Sequence, residues 1–272
     1  MSRLVTRFAT LREQRRTALI PYITAGDPQP SVTVPLMHAL VAAGADVLEL
    51  GVPFSDPMAD GPVIQAACER ALEHHVSLRQ ILDMVSTFRQ QDEQTPVVLM
   101  GYLNPVEVMG YEVFSRAAHE AGVDGVLTVD LPPEEAQDLL VSLKAEGLDP
   151  IFLAAPTSDD ERIRLMSRAG GGFLYYVSFK GVTGANRLDV QSVKDKLTQI
   201  RANTELPVGV GFGISDAESA ARIAEFADAV VVGSALVKRI AALLDSPEQI
   251  PVQAPQVIAE MRAAMDRVVA TS

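Results

Sequence analysis

The sequence predicts an α/β fold, a single-domain (β/α)8 TIM barrel over residues 1–272, with an N-terminal helix and an extra C-terminal helix. Three observations carry this expectation. Eight short runs are apolar nearly throughout instead of alternating with polar residues, which is how strands buried on both faces read. Segments with helical spacing and helix start signals lie between consecutive runs. The length of 272 residues is close to the ~250 of such barrels, and no linker divides the chain. The rival arrangement is a doubly wound open sheet, which needs a topological switch point and often a second domain.

In chain order, the opening MSRLVTRFATLREQRR alternates basic and apolar residues and lacks the apolar core of a secretory signal. Strands are expected at ALIPYI (18–23), DVLEL (46–50), PVVLM (96–100), DGVLTV (124–129), DPIFLA (149–154), GFLYYV (172–177), LPVGV (206–210) and DAVVV (228–232). Between them, Asn104-Pro105 opens one helix and Pro132-Pro133, followed by Glu134 and Glu135, opens another. Ser158 with Glu161, and Ser215 with Glu218, have the spacing of capping boxes. Gly122, Gly147 and Gly170 follow three helices, where a left-handed residue commonly ends a helix. The Pro/Gln-rich stretch 246–255 reads as a loop before a terminal helix.

Composition narrows the function. With 23 basic and 35 acidic residues the net charge is −12, which disfavours a nucleic-acid binder or a protein of anionic membrane surfaces. No stretch approaches the ~20 apolar residues of a membrane span. Cys68 is the only cysteine, so no intramolecular disulfide or thiolate metal cluster is expected, in keeping with a cytoplasmic setting. His38, His74, His75 and His119 form no i, i+4 ligand pair, and no serine sits in a G-x-S-x-G elbow. No metal is therefore expected.

In a barrel the active site lies where strands end and βα loops begin. There the chain reads LELGVPFSDPMADGP (48–62). Glu49 sits inside an apolar strand; pointing inward it is a desolvated carboxyl of raised pKa, and pointing outward it is one half of an ion pair. Asp60 in the following loop is a second carboxylate suited to act as base, or a turn and cap residue. Asp56 and Asp60 sharing Mg²⁺ is a further, less favoured reading, because no other ligand is nearby. Three glycine-bearing segments, 178–187, 209–215 and 232–237, follow consecutive strands where barrels usually bind phosphate. The first of them, with basic residues at both ends, reads as a lid. Tyr22, Tyr102, Tyr175 and Tyr176 fall at or near strand ends, as core packing or as the walls of a flat apolar slot.

Taken in order, LELGVPFSDPMADGPVIQAA, MGYLNPV, VDLPPEEA, YYVSFKGVTGA and GFGIS followed by VVVGSALV resemble the tryptophan synthase α-subunit family, over about residues 21–237. The resemblance implies a (β/α)8 barrel lyase that cleaves indole-3-glycerol phosphate to indole and glyceraldehyde 3-phosphate without metal or organic cofactor. It implies Glu49 and Asp60 as the catalytic carboxyls and Tyr175 at the site. Tyr22, Met100, Leu127 and Leu153 then line the indole pocket. Thr183, Gly184, Phe212, Gly213, Gly233 and Ser234 hold the rest of the substrate, chiefly its phosphate. The implied partner is a pyridoxal-phosphate-dependent β subunit in an αββα heterotetramer, receiving indole through a tunnel, with contacts at Pro53, Asp56, Asn104 and Pro132. Two departures stand out: Tyr22 where many relatives have Phe, and Phe179-Lys180 where several have Arg and a small residue.

Overall fold

The computed structural model describes residues 2–177, 190–211 and 213–271. Its strands are β1 (Ala18–Thr24), β2 (Leu48–Gly51), β3 (Val97–Gly101), β4 (Gly125–Thr128), β5 (Asp149–Ile151), β6 (Leu153–Ala154), β7 (Leu174–Val177), β8 (Val208–Gly211) and β9 (Ala229–Val232). They form one parallel sheet in the order β5-β4-β3-β2-β1-β9-β8-β7-β6. The two ends of that order are consecutive in the chain, separated only by Phe152, whose carbonyl accepts the Tyr175 N–H at 3.0 Å. The sheet thus bends round into a barrel. Nine strand segments fill the eight expected places because the fifth run is interrupted at Phe152.

The helices are α1 (Arg3–Glu13), α2 (Pro30–Ala42), α3 (Pro62–Glu73), α4 (Leu78–Arg89), α5 (Leu103–Met109), α6 (Tyr111–Ala121), α7 (Gln137–Ala145), α8 (Asp160–Ala169), α9 (Val190–Arg201), α10 (Ala217–Ala224), α11 (Ser234–Ala241), α12 (Ile250–Gln253) and α13 (Gln256–Thr271). Those between strands bury one apolar stripe each against the outward strand faces, as Phe88, Phe114, Leu50 and Leu99 show. Several boundaries differ from the sequence reading, each for a local reason. The cap of α8 is Asp159, not Ser158, whose hydroxyl instead accepts the Ala155 N–H. The cap of α10 is Asp216, not Ser215, and its box partner is Ser219. Carboxylates one residue on take the free N–H groups in both cases. Gly122 and Gly147 adopt positive φ, but Gly170 is extended at φ −80°. The Pro/Gln-rich stretch is not a plain loop: it holds a 3-10 turn at Pro247–Gln249 and the single turn of α12.

The inward faces make a second apolar cluster, in which Ala18, Ile20, Val47, Val98, Leu127, Ile151, Phe173, Tyr175, Ala229 and Val231 pack with Leu4, Phe8 and Leu11 of α1. Helix α1 therefore plugs the end of the barrel where strands begin. Ser2 caps it and also bonds Asp149. Around that end, aspartates next to strand starts tie neighbours together. Asp46 accepts the Leu19 N–H at 2.9 Å and pairs with Arg16 and Arg262, while Asp124 accepts the Val97 N–H at 2.9 Å and pairs with Arg3 and Arg89. Asp228 accepts the Val208 N–H at 2.9 Å and pairs with Arg201.

Phe8 meets the Phe173 ring at 5.7 Å across the plug. Phe8→Ala is expected to lower unfolding free energy by about 3–5 kcal/mol, read by denaturant titration, because it leaves a void between helix and barrel. Substrate KM should stay within about two-fold, since the cavity described next lies at the opposite end.

Candidate active site

Alternation along the strands decides which residues enter the barrel. In β1, Ile20 and Tyr22 face inward; in β2, Glu49 follows the inward Val47 at the same parity. Register sets Tyr22 opposite Glu49, Glu49 opposite Val98, Met100 opposite Leu127 and Tyr175 opposite Leu153. Glu49 is 1 % exposed, its Oε1 has no hydrogen-bond partner, and no described Lys or Arg pairs with it. The outward ion-pair reading is thus excluded. Burial, and then the charge of Asp60, pushes its carboxyl up to about 8.

Above it a cavity opens at the strand C-termini, lined in part by Tyr22, Glu49, Asp60, Met100, Tyr175 and Gly233. Gly213 and Ser234, also singled out from the sequence, complete one side. Sequence reasoning missed Gly61, Ile64, Ile214 and Val231, which fill out the wall without a chemical group to mark them. Leu127 and Leu153 belong to the interior cluster one contact beneath, against Met100 and Tyr175, and not to the wall itself. Thr183, Gly184 and Phe212, with the segment 178–187 read as a lid and its Lys180, lie outside the described residues.

Asp60 is held by Tyr102, whose hydroxyl donates to Asp60 Oδ2 at 2.9 Å and accepts the Ala59 N–H at 3.0 Å. The Phe54 ring stacks on Tyr102 with centroids 5.1 Å apart. Burial raises the Asp60 carboxyl and the tyrosine's hydrogen bond opposes it. The sequence marks Tyr102 only as a strand-end aromatic; its bond to Asp60 needed the fold. Tyr176, expected with the slot aromatics, instead points into the helix layer. The Tyr22 hydroxyl bonds Thr24 Oγ1 at 3.2 Å and lies over Gly51, where an added Cβ would stand 2.1 Å from it. Tyr175 lies over Gly211 in the same way, 2.2 Å from a built Cβ.

Helix α11 starts at Ser234; the Leu236 and Val237 N–H groups bond the Gly233 carbonyl at 3.0 and 3.1 Å, and those of Ser234 and Ala235, which precede these bonds, favour an anion at that edge of the cavity. An added Cβ at Gly233 meets only Tyr22, no closer than 3.7 Å. The protein's own packing leaves that space open. Of the expected partner contacts, Asp56 and Asn104 are exposed beside the cavity mouth, Pro132 is half-buried and Pro53 is buried. Met58, in the segment that carries Asp56, and Val108, in α5 with Asn104, are 87 % and 81 % exposed. Among the described residues no cluster of three His, Cys, Asp or Glu side chains has the makings of a metal site.

A family model described as tryptophan synthase alpha chain matches residues 8–266. A tryptophan synthase alpha chain from Thioalkalivibrio sulfidiphilus is 67% identical over 266 residues, covering 98% of this chain and 100% of the relative. One from Nitrosococcus oceani is 62% identical, covering 98% of each. Among solved structures, tryptophan synthase subunit alpha from Legionella pneumophila str. Paris superposes with TM-score 0.92 at 46% identity, covering 98% of this chain and 99% of that one. Tryptophan synthase from M. tuberculosis, in its aminoacrylate-bound form, superposes with TM-score 0.85 at 37% identity, over 97% of this chain and 100% of that one.

The buried Glu49 has a measurable stability consequence. Its folded pKa of about 8 lies above the unfolded value, so the folded state holds a proton that the unfolded state loses first. Stability falls as pH rises from about 4.5 to about 8, then levels. Glu49→Gln removes this penalty, so melting curves should show the variant gaining more over the parent at pH 8.5 than at pH 5.5. Equal gains at both pH values would contradict a buried, proton-holding Glu49.

Proposed function

The chain belongs to the tryptophan synthase alpha chain family, lyases that cleave indole-3-glycerol phosphate to indole and glyceraldehyde 3-phosphate, and we propose that Glu49 and Asp60 are its two acid–base groups. The carrying observation is Glu49 itself: a carboxyl buried inside the barrel with no cation paired to it among the described residues, and a cavity above. Such a group keeps its proton near neutral pH and can both give and take one.

The steps balance. Glu49 gives its proton to indole C3 while Asp60 takes the ring N–H proton, forming the indolenine tautomer. The Glu49 carboxylate then removes the glycerol hydroxyl proton. The pair left on oxygen by that proton forms the carbonyl as the carbon–C3 bond breaks. The electrons return to the ring, and Asp60 hands its proton back to nitrogen. Indolenine is the electron sink, so these residues suffice for the proton traffic. Tyr22, Met100 and Tyr175 offer the flat apolar walls that indole fits, with Leu127 and Leu153 behind them. Gly213, Gly233 and Ser234 suit the phosphate, and Thr183, Gly184 and Phe212 extend that assignment by resemblance. Phosphate binding far from the broken bond orients the glycerol against both acids.

The reading extends to assembly. The exposed Met58 and Val108 beside Asp56 and Asn104 suit a docked β subunit at the cavity mouth, in an αββα heterotetramer that receives indole. Pro132 belongs to the same rim, and buried Pro53 supports the loop from within. No helix among the described residues is long and apolar enough to cross a membrane. For the single barrel domain of residues 1–272 a cytoplasmic setting suits its one cysteine, Cys68, since a reducing compartment asks for no disulfide.

Three measurements test these assignments. Glu49→Gln and Asp60→Asn should each cut indole release ~10²–10⁴-fold with the fold intact, and near-normal turnover in either would remove its role. The pH dependence of kcat/KM follows by sign. Activity needs Glu49 protonated, so it falls as pH rises through about 8. It needs Asp60 ionised, so it falls again as pH drops through a value raised above the ordinary aspartate range. A profile flat from neutral pH to well above 8 would contradict the Glu49 assignment. Finally, Gly233→Ala fits the protein but enters the anion space, so it should raise KM for the phosphorylated substrate about ten-fold or more without lowering Tm.

A further inference from the structure

The segment joining β2 to α3 carries Asp60 but has no regular secondary structure, so contacts from outside must keep its carboxyl aimed at the cavity. Tyr102 holds the side chain. The same hydroxyl accepts the Ala59 N–H at 3.0 Å, ahead of Asp60, and leaves the Asp60 carbonyl beyond it without a tie from that ring. The second hold comes from the other side. One turn into α3, the Gln65 carboxamide reaches back, its Nε2 donating to the Asp60 carbonyl at 2.8 Å and to the Pro57 carbonyl at 3.4 Å.

Those two carbonyls bracket the turn that the Asp60 N–H closes on Pro57 O at 3.0 Å. The helix ladder starts one residue later, where Gly61 O accepts the Ile64 and Gln65 N–H groups at 3.0 Å each. The Asp60 carbonyl is therefore outside the ladder, and Gln65 supplies its donor. Gln65 is half-buried and does not line the cavity.

We propose that Gln65 is a positioning residue for the lyase reaction, its carboxamide bracing the 57–60 turn against the start of α3 and thereby fixing the main chain from which Asp60 reaches the indole N–H. The proposal rests on Asp60 being the group that takes that proton. The chemistry of the side chain fits this role, because a carboxamide brings two N–H bonds on one nitrogen to two neighbouring carbonyls. A carboxylate would present only acceptors to them, and a thioether nothing. Because Gln65 stands behind the loop and away from the cavity, its loss acts on the placement of the base in the reacting complex and not on substrate affinity.

The test is steady-state indole release from indole-3-glycerol phosphate by Gln65→Met, Gln65→Glu and Gln65→Lys, with Asp60→Asn measured alongside and Tm recorded for each. Methionine keeps the length without a donor, glutamate sets an acceptor against carbonyl oxygens, and lysine restores N–H donors. For Gln65→Met kcat should fall about 10-fold or more, as an ångström-scale misplacement of a reacting group does. Gln65→Glu should fall further and Gln65→Lys recover in part, with KM within about two-fold throughout. That ranking by donor capacity, and the kcat-against-KM split, are what a merely structural residue would not produce. Unchanged kcat in Gln65→Met and Gln65→Glu, or losses that follow Tm instead of donor capacity, overturn the role of Gln65. Near-normal turnover in Asp60→Asn overturns the assignment of Asp60 on which it rests, whereas an inactive Asp60→Asn beside a fully active Gln65→Met overturns Gln65 alone.

Discussion

A closed ring of parallel strands leaves each side chain two destinations, the interior or the helix layer, and the pleat assigns them alternately. That constraint places Glu49. Its strand neighbours Leu48 and Leu50 go to the helix layer, so the carboxyl between them must enter the barrel, where Tyr22 of β1 stands opposite. An interior of Val, Ile, Leu and aromatic rings offers little solvation to a charge, so the acid holds its proton. The raised pKa, and the division of labour that we propose with Asp60, follow from this one inward position. An added or deleted residue ahead of Glu49 in β2 would turn the acid outward and exchange it for a leucine.

The two ends of the barrel treat carboxyls in opposite ways. Asp46, Asp124 and Asp228, at the end where strands begin, each receive a strand N–H and face at least one arginine. They lock neighbouring strands in register. Glu49 has no such company among the described residues, and its Oε1 has no hydrogen-bond partner. Asp60 lies between these extremes: partly buried, it is held by the neutral donor Tyr102, which steadies its charged form with no cation paired to it among the described residues. A cation beside either carboxyl would suppress the proton exchange that we propose for them.

Much of this was legible in the sequence because buried parallel strands leave uninterrupted apolar runs, and a glutamate in such a run is conspicuous. The eight strand places, the position of Glu49 inside a strand, the loop position of Asp60 and the glycines beside the cavity all derive from local pattern. The break at Phe152 was not legible, because DPIFLA is apolar on both sides of it. The caps of α8 and α10 shifted by one residue because Ser158-Asp159 and Ser215-Asp216 each offer two capping residues in succession, and only the helix axis selects between them. The direction of Glu49, the hold of Tyr102 on Asp60 and the bracket from Gln65 depend on contacts between different strands and loops. No spacing along the chain encodes those. Pattern also failed to separate Tyr175 from Tyr176, adjacent residues of one strand that point to opposite faces.

The two tyrosines that wall the cavity rest on glycines of the next strand, Tyr22 on Gly51 and Tyr175 on Gly211. The width of the slot is therefore the property of two residue pairs, each shared between neighbouring strands. In evolutionary terms these positions are bound to drift together. A side chain at 51 becomes tolerable only after residue 22 has shrunk, and a smaller residue at 22 leaves a hole that a larger one at 51 can refill; 175 and 211 are coupled in the same manner. A lineage adapting this barrel to a bulkier or slimmer ring would thus cross a valley of single substitutions, which is a steric reason for the slot's shape to persist while the surrounding surface diverges.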